Sequence, residues 1–114
     1  MDIKQAIAQE ANTQFPSEAC GFLLDYGGFV ICNNVAEDPQ NSFLIPQASA
    51  DLWWETGRVT GVWHSHSFDP AIPSELDELL AQPELQCWIY SVMDEDLGVY
   101  LPDDEGRLQL QEML

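Results

Sequence analysis

The run Val59-Thr60-Gly61-Val62-Trp63-His64-Ser65-His66 is dense in β-branched and aromatic residues, the composition of a strand. It leads into Ser67-Phe68-Asp69-Pro70-Ala71-Ile72-Pro73, which its prolines mark as a loop. His64 and His66 are the only histidines in the chain. Successive strand residues face opposite sides, so positions i and i+2 share a face and bring two imidazoles close enough to hold one metal ion. Beyond the loop, Ser74 opens a helix that carries Leu76, Leu79 and Leu80 and is ended by Pro83, and Asp77 lies one turn into it. A strand end and a helix start joined by one loop can gather His64, His66 and Asp77 around a single ion. A fourth tetrahedral position is then left for water, as catalytic zinc requires. The plainer account is that His-x-His alone is weak evidence of a metal. Ser74-Glu75-Leu76-Asp77 also describes a capped helix start, with Asp77 favoured by the positive end of the helix.

Toward the N-terminus, Ile3, Ile7, Ala11 and Phe15 recur four apart and form an apolar stripe on a helix spanning Asp2 to Phe15, closed by Pro16. Gly21–Leu24 and Phe29–Cys32, separated by Asp25-Tyr26-Gly27-Gly28, read as a β-hairpin. Asn33 to Asn41 reads as loop and Ser42 to Ile45 as a short strand. Ser49 is placed to cap a helix through Leu52, Trp53 and Trp54 that stops at Gly57. Cys87 to Met93 is an apolar run suited to a central strand buried on both faces. Gly98 to Leu101 and Arg107 to Gln111 close the chain as strands. Mixed helices and strands around a core sheet make an α+β or three-layer α/β domain, and 114 residues suit one domain over 1–114.

Twenty acidic side chains stand against Lys4, Arg58 and Arg107, a formal net charge of -17. With so little to neutralise phosphates, the expected partners include no nucleic acid and no membrane. A basic partner suits this charge, as does a solvated acidic surface that serves only solubility. Cys20, Cys32 and Cys87 make an odd count with no C-x-x-C pair, so they are expected to be reduced and packed as small hydrophobes. The four tryptophans are expected in the core or a groove wall, and the acidic clusters Asp94-Glu95-Asp96 and Asp103-Asp104-Glu105 in turns. No apolar run is long enough to span a membrane and the start lacks a signal-peptide pattern, giving a cytoplasmic expectation. A zinc nucleobase deaminase would need His-x-Glu followed by Pro-Cys-x-x-Cys, and neither occurs.

An acid lies upstream in Pro16-Ser17-Glu18-Ala19-Cys20-Gly21-Phe22-Leu23-Leu24. Together, Glu18, His64-Ser65-His66, seven residues, then Ser74-x-x-Asp77 resemble the JAMM (MPN+, Mov34/JAB) metalloprotease family at every fixed position of its motif. The resemblance runs from the Glu18 segment to the Cys87 strand. It implies a single JAMM (MPN) domain with a cytidine deaminase-like mixed central sheet flanked by helices. It also implies a zinc-dependent metallopeptidase or isopeptidase that hydrolyses amide bonds in a protein or peptide. By the same resemblance His64, His66 and Asp77 would bind Zn²⁺, and Glu18 would be the general base that moves a proton from water to the leaving amine. Ser74 would donate a hydrogen bond to the oxyanion of the tetrahedral intermediate. Without the motif, Glu18 would be read as one exposed acid among twenty.

Within the family, Pro-x-Glu-x-Cys-Gly-Phe is similar to bacterial and phage members. Asn34-Val35 through Pro39, Phe43, Pro46 and Asp51-Leu52-Trp53 resembles the N-terminal half of phage tail assembly protein K. The partners so implied are a phage tail component, or a small ubiquitin-like or sulfur-carrier protein. The family's usual proline after the second histidine is Ser67 here, so the following loop is expected to take another course. The insertions with which deubiquitinating relatives grip ubiquitin have no room in this chain. The same fold also serves as a non-catalytic scaffold module; such members are expected to have lost a ligand or the base, and here none is missing.

Overall fold

The computed structural model describes residues 2–114. Its first helix, α1 (Ile3–Gln14), starts at a reciprocal cap: Asp2 Oδ1 accepts the Gln5 amide at 2.8 Å and Gln5 Oε1 accepts the Asp2 amide at 3.2 Å. Its inward face buries Ile7 and Ala11 completely. A cis Phe15–Pro16 bond follows. The hairpin β1 (Cys20–Leu24) and β2 (Phe29–Cys32) forms as the sequence reading expects, with Gly27 at φ 84 in the reversal. Then come α2 (Gln47–Glu55), β3 (Val59–His66), α3 (Glu75–Leu79), β4 (Gln86–Ser91), β5 (Leu97–Pro102) and β6 (Leu108–Met113).

The six strands make one mixed sheet in the order β2-β1-β3-β4-β5-β6, parallel only between β3 and β4. Strand pleating sorts its residues. One face carries Leu23, Trp63, Tyr90 and Leu97, packed with Ile7 and Ala11 of α1. The other carries Ile89 and Tyr100, packed with Ala71 and Leu108. Trp63 is wholly buried on the α1 face and donates its indole N–H to the Val30 carbonyl at 3.0 Å. Gly21 makes room for it. A Cβ there would lie 1.8 Å from Val30 O and 2.6 Å from Trp63 Nε1. The pleat that turns Trp63 and Ser65 toward α1 turns His64 and His66 toward the opposite face, where α3 follows the loop.

Four expectations need correction. Ser42 to Ile45 is not a strand, because the backbone at Ser42 and Leu44 is bonded to the Asn34 side chain instead of to a sheet edge. Ser49 is no cap: α2 already begins at Gln47, and the N-cap position is taken by Pro46, which makes no side-chain cap bond. The central strand stops at Ser91, short of Met93, because a turn with Glu95 at positive φ reverses the chain; Met93 is exposed. The helix α3 ends at Leu79, well before Pro83, and leaves Leu76, Leu79 and Leu80 exposed. Among the described residues no helix is long and apolar enough to cross a membrane.

Candidate metal centre

At the C-terminal end of β3, His64 and His66 point from the sheet toward the start of α3. There the Asp77 carboxylate meets both rings: His64 Nε2 is 3.2 Å from Oδ1, and His66 Nε2 is 3.1 Å from Oδ2. The two Nε2 atoms are 3.2 Å apart, and the three side chains offer ligand atoms that all lie within 4.8 Å of one another. The structure therefore brings together the three residues that the spacing singles out. All three side chains are more than nine-tenths buried.

The donor set fits a cation. The Pro70 carbonyl, 2.8 Å from His66 Nδ1, can only accept, so Nδ1 carries the proton. A neutral His66 then aims a lone pair from Nε2 at an Asp77 oxygen that is also an acceptor. Such a pair of acceptors needs a positive charge between them, either a proton or a metal ion. Capture of the distal N–H by a backbone carbonyl is also the usual way a metal-binding histidine is oriented. His64 lacks this support: its Nδ1 is buried with no partner among the described residues. Its ring instead stacks on Phe43, with centroids 4.5 Å apart and planes inclined by 24°.

Burial, opposed by the hydrogen bond and charge of Asp77, holds His64 below its ordinary value. For His66 burial acts in the same direction, but the Asp77 hydrogen bond, the Pro70 carbonyl and the charges of Asp77 and Glu18 outweigh it and raise the ring. Burial would lift Asp77, yet its bonds to the two imidazoles and to the Ser74 amide keep it well below the usual carboxylate range. This is a site built to hold a carboxylate ionised against positive charge.

Ser74 caps α3. Its hydroxyl accepts the Asp77 amide at 3.1 Å, and its own amide donates to Asp77 Oδ2 at 2.9 Å, which aims the carboxylate at the histidines. Accepting uses one lone pair and leaves the exposed hydroxyl a proton to donate. Glu18, just before β1, is only 5% exposed, unlike the surface acid it would be without the motif. Burial pushes its carboxyl up to about 8, with His66 lowering it and Asp77, Asp69 and Asp38 raising it.

The backbone around Glu18 is fastened on both sides. Its amide donates to Pro39 O at 2.7 Å and its carbonyl accepts from Asn34 Nδ2 at 2.9 Å. Next to it, Ala19 exchanges two bonds with Ser65, the residue between the histidines: the Ala19 amide donates to Ser65 Oγ at 2.8 Å and the Ser65 amide to Ala19 O at 2.9 Å. The sequence reading named Asn34 and Phe43 only for a family resemblance and gave neither them nor the Pro70 carbonyl a role at the site. A turn-forming asparagine, a loop aromatic and a backbone oxygen carry no periodic signal. Cys20, opposite His64 in register, is buried, and its thiol is pushed up to about 12, which suits packing.

Beside the centre opens a cavity of about 450 Å³ that includes His64 and Asp77 in its lining. Its walls are mostly apolar, with Phe43, Leu44, Trp54, Leu76 and Leu80 prominent. The loop after His66 is packed down at its start. Ser67 is buried with its hydroxyl unpartnered among the described residues, and Phe68 packs on Phe15 with centroids 5.4 Å apart. The Asp69 carbonyl accepts from Ser91 Oγ at 2.9 Å, and the Ala71 carbonyl accepts from the Tyr100 hydroxyl.

The profile of a family described as prokaryotic homologs of the JAB domain matches residues 2–102. No curated protein matches the chain. Among solved structures, the solution structure of protein DSY2949 from Desulfitobacterium hafniense is similar with a TM-score of 0.74 and 24% identity, over 95% of this chain and 84% of that one. That likeness speaks for a shared fold.

Proposed function

The chain belongs to the family of prokaryotic JAB-domain homologs, and from that premise we propose that it is a zinc-dependent metallopeptidase or isopeptidase cleaving an amide bond in a protein or peptide. The observation that carries this reading is the convergence of His64 Nε2, His66 Nε2 and the Asp77 carboxylate, with the distal nitrogen of His66 already committed to Pro70. His64, His66 and Asp77 would hold the ion. Bound there, Zn²⁺ supplies Lewis acidity, which activates water near neutral pH and polarises the scissile carbonyl.

The remaining roles fall to the chain's own groups. Glu18 accepts a proton from water and returns it to the leaving amine. A carboxyl that burial pushes up to about 8 exchanges protons near neutral pH, and a divalent cation beside it draws it back toward the ionised form. Ser74 keeps its hydroxyl proton for the oxyanion while its amide holds Asp77 in place. The apolar cavity next to His64 and Asp77 would take an apolar side chain or tail of the substrate and exclude water around the bond. An extended substrate tail can add to the outer edge of β2, whose other edge is paired to β1. A small ubiquitin-like or sulfur-carrier protein, or a phage tail component, suits that mode of binding. The phage setting rests on the motif resemblance alone.

Native mass spectrometry of the purified protein tests the centre. About one zinc per chain, lost or weakened in Asp77→Asn, is expected. Glu18→Gln should keep the ion and abolish turnover, and the same variant can then serve to trap substrates with extended tails. No zinc even after its addition would leave a scaffold module as the better description, and unchanged hydrolysis by Glu18→Gln would remove Glu18 from the mechanism.

A further inference from the structure

The two histidines of the centre are not supported alike. His66 has its distal nitrogen bonded to a carbonyl, whereas the distal nitrogen of His64 is buried without a partner among the described residues. A histidine that binds a metal through one nitrogen normally has its ring fixed through the other. Here the only described group stacked on the His64 imidazole is Phe43, at 4.5 Å and 24°. Phe43 belongs to a loop with no sheet pairing, so its place has to be set by something else.

That something is Asn34. Its Nδ2 donates to Ser42 O at 3.0 Å and its Oδ1 accepts the Leu44 amide at 3.1 Å, so one side chain grips the backbone on both sides of Phe43. The Val35 amide adds a bond to Leu44 O at 2.9 Å. The same Nδ2 donates to Glu18 O at 2.9 Å, which ties the Phe43 loop to the segment carrying the acid.

We propose that Phe43, held in place by Asn34, is the positioning residue for His64: stacking fixes the imidazole plane that a hydrogen bond fixes for His66. The inference rests on the metal centre proposed above. In the free protein Asp77 holds the His64 ring at one edge only, through Nε2, and the Phe43 face fixes its plane about that contact. Removing the aromatic face therefore weakens metal binding while leaving all three ligands in place.

The test compares the full chain carrying Phe43→Leu, Phe43→Met, Phe43→Tyr and Phe43→Trp, with His64→Ala as reference. Zn²⁺ affinity is read by competition with a chelator, and ligand geometry by the visible spectrum of the Co²⁺-loaded protein. Phe43→Leu and Phe43→Met should bind Zn²⁺ about 10- to 100-fold more weakly, the range typical for lost outer-shell support, with an altered Co²⁺ spectrum. The two ring-bearing variants should stay within about 3-fold of the parent and keep its spectrum, a rescue that general loss of packing would not give. Equal affinity across all four would overturn the proposal. So would failure of both the leucine and methionine variants to fold without metal, because the ring would then serve the fold and not His64. If the parent and His64→Ala bind zinc equally, the metal centre itself fails, an outcome distinct from either.

Discussion

Ser65 and Ser67 lie two residues apart, both buried, at 0% and 2% exposure, yet their hydroxyls have opposite fates. Ser65 Oγ accepts the Ala19 amide at 2.8 Å, whereas Ser67 Oγ has no partner among the described residues. The same deletion of one oxygen should therefore change stability in opposite directions. Ser65→Ala strands the Ala19 amide in a dry interior, which costs about 1 to 3 kcal/mol, more than the small gain from no longer burying the hydroxyl. Ser67→Ala removes an oxygen whose desolvation nothing repays, and is neutral or stabilising by about 1 kcal/mol, since the void left is too small to cancel it. Urea unfolding followed by tryptophan fluorescence reads the contrast. With a slope of roughly 1 to 2 kcal/mol per molar urea, a loss of about 2 kcal/mol lowers the Ser65→Ala midpoint by about 1 to 2 M. Ser67→Ala should leave its midpoint at or above that of the parent. Equal losses in the two variants would refute the hydrogen-bond argument and leave only packing.

Three further outcomes follow from the geometry. Glu18 keeps its proton to about pH 8 when folded but releases it near 4.5 when unfolded, so in the metal-free protein its contribution is fully present below pH 4.5 and lost as pH rises to 8. Glu18→Gln should thus gain on the parent across that window, by at most about 4 kcal/mol at pH 8; urea midpoints at pH 5 and pH 8 that differ equally for both proteins would count against a buried carboxyl. Zinc at 100 times its Kd should stabilise the parent by about 2.7 kcal/mol, a rise in Tm of about 10 °C for a chain of this size, and should not do so for Asp77→Asn. Differential scanning fluorimetry checks this, and an equal rise in both would place the ion elsewhere. Gly21→Ala drives a methyl group into the Val30 carbonyl and the Trp63 indole, so it should lower stability by about 3 kcal/mol or more, and a soluble variant with native circular dichroism and an unchanged midpoint would contradict the close approach.

The convergence of His64, His66 and Asp77 was legible from two local periods taken together with the family motif, the spacing alone showing only that the three can meet. An i, i+2 pair on a strand faces one way and a serine three residues before an aspartate starts a helix, and the motif then singled out His64, His66 and Asp77 as one set. The strands around them were legible for the same reason, to within a residue or two at their ends. What was not legible depends on single side chains reaching backbone far away. Ser42 to Ile45 has the residues of a strand, but Asn34, eight residues earlier, takes the bonds that a neighbouring strand would have taken. Leu76, Leu79 and Leu80 have the spacing of a buried face, yet Leu76 and Leu80 border an open cavity and Leu79 is exposed, and a periodicity records only which residues share a side. Glu18 shows both cases: the motif singled it out, while its burial came from tertiary contacts with Pro39, Asn34 and the Ala19–Ser65 exchange.

The loop between His66 and Ser74 is held through three consecutive backbone carbonyls: Asp69 by Ser91 of β4, Pro70 by His66 of β3, and Ala71 by Tyr100 of β5. A carbonyl is present whatever the residue, so the side chains at positions 69 and 70, both exposed, are free to vary without releasing the second histidine. The burden of specifying this loop has moved out of the loop and onto Ser91 and Tyr100, in strands that contribute no ligand. A proline missing after His66 costs the centre little on that account, and a substitution at position 100 reaches it from β5, two strands beyond β3 in the order of the chain.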